Sequence, residues 1–155
     1  MADLWRGITT DSLKTALWSF FPEAAYDALK AIPYPDADWH DRLVADFSLD
    51  LTAAHDYLGA GAAGAKLLYV AVPADEAAWI PPGYCYNSIG YWHVPGSRLV
   101  YSEGGETRSI GIASLISWRG QWYVVHLGAV LRSSATGIVD DPAIGQGAFG
   151  PPGGC

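Results

Sequence analysis

His93 and His126 are the side chains of this sequence best suited to acid–base or metal chemistry, because each lies in a segment rich in aromatic and aliphatic residues. A histidine titrates near neutral pH and serves as a general base or a metal ligand. We expect the two histidines to lie on the first and fourth strands of one sheet and on the same face of it. Three interstrand steps of roughly 4.8 Å separate them by about 14 Å, which no single metal ion bridges. We therefore expect no metal site and keep a lone catalytic His126 as a candidate, against the plainer interpretation of a half-buried sheet histidine.

The N-terminal half offers two clusters of acidic residues and histidines. Asp38, His40 and Asp41 form one, and His55–Asp56 forms the other. Adjacent residues on a helix point about 100° apart, so neither cluster is a ready-made dyad. A solvated acidic face is the plainer interpretation, and a helix-borne carboxylate is the catalytic alternative. The chain has no GxSxG motif, and the glycines of its segment GAGAAG lack the lysine of a P-loop, so we expect no cofactor.

Cys85, in the segment PPGYCYN, and Cys155, at the end of a Gly/Pro-rich tail, are the two cysteines. A disulfide between them would close a loop of about 70 residues and contribute roughly 4 kcal/mol in the chain-entropy model. Two unrelated thiols are the alternative. A bonded pair indicates an oxidising compartment and predicts an extracytoplasmic or secreted protein, whereas free thiols indicate a cytoplasmic one.

The composition suits one folded domain. The chain has 155 residues, of which 50% are hydrophobic and 16% charged. Its formal net charge of -7 disfavours nucleic acid and anionic membranes as partners. No apolar run approaches the roughly 20 residues of a membrane span, and the first residues lack the pattern of a signal peptide.

Apolar residues at helical spacing predict helices over about 10–58. Thr10, Asp11 and Ser12 are candidate helix caps, Pro22 opens a second helix, and the segment 33–38 precedes a third. A glycine-rich joint follows. The alternating pattern over about 66–131 predicts an antiparallel meander. We expect one α+β domain over 1–132, with helices packed on the sheet, and a Gly/Pro-rich tail or wrap over 133–155.

Three turn signals set the expected register of the meander, at Pro95–Gly96, Gly104–Gly105 and Arg119–Gly120. One face is then nearly all apolar and should be the core, and it carries Tyr86, Trp92, Leu99, Tyr101, Ile110, Ile112, Ile116, Tyr123, Val125 and Leu127. The other face mixes polar and very small residues. It carries Asn87, Tyr91, His93, Arg98, Val100, Ser109, Gly111, Ala113, Ser117, Trp122, His126 and Gly128.

The closing segment SWRGQWYVVHLG resembles the last strands of NTF2-like (SnoaL-like) proteins. The order of helices first and antiparallel sheet afterwards is also similar to that family. The resemblance implies an NTF2-like or cystatin-like cone with a pocket. The Ala/Gly/Arg-rich composition with three lysines resembles that of small exported actinobacterial domains.

Two main hypotheses for function follow. The first is a non-catalytic extracytoplasmic binding or assembly module whose second face, with Tyr91, His93, Arg98, Trp122 and His126, contacts another protein chain, most simply a second copy. The second is a small NTF2-like pocket enzyme, an isomerase or hydrolase, that uses His126 or a helix-borne carboxylate on a small-molecule ligand. A cavity between helices and sheet that holds a titratable group with a shifted pKa would favour the second hypothesis. An intracellular regulatory subunit is a third interpretation if both cysteines are free.

Overall fold

The N-terminal third of the chain is helical. The structure is a computed structural model that describes residues 1–151. It begins with α1 (Ala2–Thr9), α2 (Leu13–Ala16) with a 3-10 turn (Leu17–Ser19), and α3 (Glu23–Leu29). Of the three candidate caps, Ser12 is the one that the structure confirms, because its side chain accepts a hydrogen bond from the Thr15 backbone N–H. Helix α1 lies before the predicted helical region, which begins at about residue 10, and its short apolar pattern was missed. Its Leu4 and Ile8 side chains are completely buried.

One continuous helical run occupies residues 35–58, and it begins inside the segment 33–38 that was predicted to precede the third helix. It consists of α4 (Pro35–Asp38), a π-helical segment (Trp39–Val44) and α5 (Ala45–Leu58). The π segment contains one extra residue per turn, which changes the direction of its side chains. Segments of this kind are common near functional sites. The predicted flexible joint after α5 is instead a 3-10 turn (Gly59–Gly64).

A six-stranded antiparallel sheet follows, in which four strands lie side by side and two short strands pair at their ends. Its order is β1 (Lys66–Ala71), β3 (Tyr91–Glu103), β4 (Glu106–Trp118) and β5 (Gln121–His126). The short strands β2 (Ala78–Ile80) and β6 (Ala143–Ile144) pair with β3 and β4 respectively. Helices packed with an antiparallel sheet confirm the predicted α+β class, and the NTF2-like or cystatin-like cone stays a prediction.

Two of the three predicted hairpins are confirmed and one is wrong. Glu103 pairs with Glu106 and Trp118 with Gln121, as predicted. There is no hairpin at Pro95–Gly96, because β3 runs through it as one strand. Gly96 instead allows the tail to approach the strand closely, because a Cβ at this position would lie 2.6 Å from the backbone of residue 150.

The absent hairpin changes which face several side chains occupy. Leu99, Tyr101, Ile110, Ile112, Ile116 and Leu127 are buried in the core as predicted. Tyr91 is also in the core, whereas Trp92 is 48% exposed and Tyr86 75% exposed, so those three assignments are wrong. A register shift between Ser114 and Leu115 opposite β5 places His126 beside Ser114. Both histidines therefore lie on the helix-facing side of the sheet, and not on the outer face.

The tail folds back on the outer face of the sheet. The guanidinium of Arg98, 1% exposed, donates to Ser109 Oγ at 3.1 Å, to Asp141 Oδ2 at 2.9 Å and to the Ala148 carbonyl at 2.8 Å. The small residues of this face make room for the tail, because a Cβ on Gly111 would lie 2.1 Å from the Asp140 carboxylate.

Candidate functional site

A cavity of about 290 Å³ lies between the helices and the inner face of the sheet. The helices contribute apolar and charged side chains to its wall, and strands β3, β4 and β5 contribute aromatic, aliphatic and imidazole groups. Its open side is marked by Tyr86 and by Leu131, which is 90% exposed. A pocket of this kind, mostly apolar with few polar groups, is typical of a small-molecule site. The lining residues are Tyr26, Leu29, Lys30, Arg42, Leu43, Cys85, Tyr86, Tyr91, His93, Ser114, Ile116, Val125, His126, Val130 and Leu131.

His93, Ser114 and His126 meet in the sheet wall of this cavity. His93 Nε2 lies 2.8 Å from Ser114 Oγ, and both residues are buried. Ser114 pairs with His126 across β4 and β5. The two histidines are thus separated by β4 alone, two interstrand steps where the predicted register gave three. The prediction that they lie too far apart to share a site is wrong, because its extra strand does not exist.

The cavity keeps the His126 imidazole neutral. Burial, followed by the positive charges of Arg42, Arg132 and Lys30 and by His93, lowers the pKa of His126 to about 4. A neutral imidazole can accept a proton through its unprotonated ring nitrogen. At neutral pH His126 is therefore in the protonation state that a general base requires.

Lys30 lies on the open side of the cavity. Its ammonium donates to the Cys85 carbonyl at 2.9 Å and stands 5.8 Å from the centre of the Tyr26 ring. Burial, followed by the charge of Arg42, lowers the pKa of Lys30. Cys85 and Tyr86 both have left-handed backbone conformations, which are costly outside glycine. The bond from Lys30 helps to fix this turn at the edge of the cavity.

Tyr26, Asp38 and Arg42 form a hydrogen-bonded group beside Lys30. Arg42 Nε donates to Asp38 Oδ1 at 2.8 Å, and the Tyr26 hydroxyl donates to Asp38 Oδ2. The bond from Arg42 lowers the pKa of Asp38, so its carboxylate stays charged and committed to these partners. Burial and the bond to Asp38 raise the pKa of Tyr26. This carboxylate positions Arg42 and Tyr26, and it is not free to act as a base.

No protein-family model matches the chain, and no curated protein or solved structure matches it either.

The cavity itself is therefore the feature from which function is inferred. In the part of the chain that the structure describes, no group of three or more His, Cys, Asp or Glu side chains could hold a metal ion. No helix within residues 1–151 has the length and apolar character of a membrane span.

The five residues predicted to form an interface do not lie on one face. Tyr91, His93 and His126 lie on the inner face and line the cavity, and Arg98 is buried under the tail. Only Trp122 remains substantially exposed on the outer face, at 44%. Of the acidic clusters, Asp38 reaches the edge of the cavity through Arg42, while His40 lies outside it and contacts Glu23 at 3.3 Å.

The sequence interpretation missed Tyr26, Lys30, Arg42 and Ser114 as residues of the site. A local signal existed for three of these residues, Tyr26, Lys30 and Arg42. Tyr26 and Lys30 are four positions apart on a helix, as are Asp38 and Arg42, and such pairs share a helix face. These helix residues meet a sheet that lies some 60 residues later in the chain. That contact depends on tertiary packing, so no local sequence pattern indicates it.

The outer face presents a row of aromatic side chains. Trp79 pairs with Trp92 across β2 and β3, and their ring centres are 5.7 Å apart. The Trp92 backbone N–H donates to Ser117 Oγ, and Ser117 pairs with Trp122. About half of each tryptophan is exposed.

Proposed function

We propose that this protein binds a small, largely apolar organic molecule in the cavity and that His126 acts on it as a general base. The reaction class is that of an isomerase, in which a proton is removed from carbon and returned. The single observation that carries the proposal is His126, which is partly buried beside the Ser114–His93 pair in the wall of a ligand-sized cavity. A perturbed titratable group in such a cavity is the feature that favours a pocket enzyme over a non-catalytic module.

The surroundings of His126 support this role. Ile116 and Leu43 provide apolar walls that exclude water from a bound ligand. Ser114 and His93 form a hydrogen-bonded pair next to His126 that can hold or return a proton. The NTF2-like resemblance, which implies a pocket in the same place, is consistent with the proposal.

A base-catalysed elimination tests the proposal without knowledge of the natural substrate. 5-Nitrobenzisoxazole is neutral, planar and small enough for the cavity. A ring nitrogen of His126 takes the proton from C3, the C–H electron pair forms the nitrile bond, and the N–O bond breaks to release 2-cyano-4-nitrophenolate, which is coloured. We expect saturable turnover that falls at least about tenfold in His126→Gln, since a positioned base contributes about 10²–10⁴-fold and a base of low pKa contributes less.

The matched control is His40→Gln, which removes a histidine outside the cavity. It should retain the wild-type rate. The rate should rise with pH around 4, where His126 becomes neutral, and stay level above. Equal rates in wild type and His126→Gln would contradict the proposal.

A non-catalytic assembly module is a second candidate, supported by the exposed tryptophans of the outer face. Tryptophan is enriched at the centres of protein interfaces. If this face contacts a second copy, Trp122→Ala should shift sedimentation toward monomer with unchanged circular dichroism. Trp18→Ala is the control, because Trp18 is also exposed but lies in the helical layer. Wild-type protein that stays monomeric at high concentration would refute the candidate.

The Cys85–Cys155 disulfide is proposed on the sequence alone, because Cys155 lies outside the described residues. An extracytoplasmic location depends on it. Thiol titration of the unreduced protein under denaturing conditions should find no free thiol, and two free thiols would refute both proposals.

A further inference from the structure

The charged groups around the cavity contrast with the charge of the whole chain. The protein has a formal net charge of -7, yet the charged groups that act on His126 are the cations Lys30, Arg42 and Arg132. Lys30, at the C-terminal end of α3, and Arg42, in the π segment, line the cavity from two elements, whereas Arg132 is not among its lining residues. A cation in the wall of a cavity is expected to attract an anion there when no carboxylate of the protein already neutralises it.

The three cations differ in how they are neutralised. Arg42 is paired with Asp38, and Arg132 is paired with Asp46 at 3.2 Å and Asp50 at 2.8 Å. Lys30 forms no ion pair with any of residues 1–151. One of its three N–H donors is used by the Cys85 carbonyl. Lys30 is thus a half-buried ammonium with donor capacity left for a ligand.

We propose that the cavity selects small organic anions, and that Lys30 binds the anionic group of the ligand at the open side of the cavity. The apolar part of the ligand then lies between Leu29, Leu43 and Ile116. A monocarboxylate of a compact hydrocarbon has this chemistry. The inference rests on the proposed function, since it requires that the cavity binds a ligand.

The position of Lys30 explains how the anion would affect His126. A negative charge beside Lys30 offsets the cations that disfavour a protonated imidazole. Binding should raise the pKa of His126 and bring this weak base closer to neutral pH, where general bases are most effective. Binding of the anion by Lys30 is thereby coupled to the basicity of His126.

The test compares an anion with its neutral isostere. Cyclohexanecarboxylate and cyclohexanecarboxamide have nearly the same shape, and only the first is charged at pH 7. NMR titration of the wild-type protein should give at least tenfold tighter binding of the carboxylate. In Lys30→Gln that preference should disappear, with the affinity for the amide changed less than twofold. Glutamine can still donate to the Cys85 carbonyl, so this turn is retained.

Lys66→Gln is the matched control, because Lys66 is exposed on β1 outside the cavity, and it should behave as wild type. Equal affinity for both probes would overturn the selection of anions. A preference that survives in Lys30→Gln would overturn the role of Lys30. If neither probe shifts the signals of Ile116 and His126, the cavity does not bind these ligands, and the proposed function fails together with the inference.

Discussion

Acidification should destabilise this protein through His126. Its pKa is about 4 in the folded protein, whereas the ordinary value of 6.5 applies to the unfolded chain. Between these values the unfolded state binds a proton that the folded state does not. The free energy of unfolding is therefore largest above pH 6.5 and falls as the pH drops toward 4. The full difference corresponds to about 3 kcal/mol, of which about 2 kcal/mol is lost at pH 5.

Urea unfolding of wild type and His126→Gln at pH 7.5 and pH 5 measures this contribution. Wild type should lose about 2 kcal/mol more than the variant over this interval. Burial raises the pKa of Asp140, which gives the opposite pH dependence, but this group is common to both proteins and cancels in the difference. His40→Gln should follow wild type. Parallel losses in wild type and His126→Gln would refute the burial of a neutral imidazole.

Three substitutions test the packing that holds the cavity in place. Ile112→Ala should cost about 2–5 kcal/mol in urea unfolding, because Ile112 is fully buried in the sheet core; a loss below 1 kcal/mol would contradict that position. Arg98→Ala should cost about 1–3 kcal/mol and expose the tail to limited proteolysis, because Arg98 is the buried donor that joins Ser109 on the sheet to Asp141 and Ala148 in the tail; an unchanged midpoint would contradict this role. Asp50→Ala should cost about 3–5 kcal/mol, because its carboxylate accepts from the Gly128 and Ile138 N–H groups and from Arg132; an unchanged midpoint would refute this anchoring role.

Local patterns in the sequence predicted much of the fold. Alternating residues around Gly104–Gly105 and Arg119–Gly120 predicted two hairpins correctly, because a tight turn between two strands is a local property. The core positions Leu99, Ile110 and Ile112 follow from the same register.

The errors have long-range causes. Pro95–Gly96 has the composition of a turn, but the glycine accommodates the tail more than 50 residues later. That single error moved Tyr91 and His93 to the wrong face, because a register slip exchanges the two sides of a strand. The shift in the pairing of β5 did the same for His126. The cavity could not be predicted for this reason, since its two histidines were assigned to the outside.

Titration of the histidine side chains by NMR tests the central claim most directly. Four histidines give four signals, and His126→Gln assigns the one that matters. The account predicts that His126 stays neutral down to a pH of about 4 in the free protein, and that its pKa rises when cyclohexanecarboxylate binds. A pKa near 6.5 that does not respond to the carboxylate would contradict a buried base in a ligand-binding cavity.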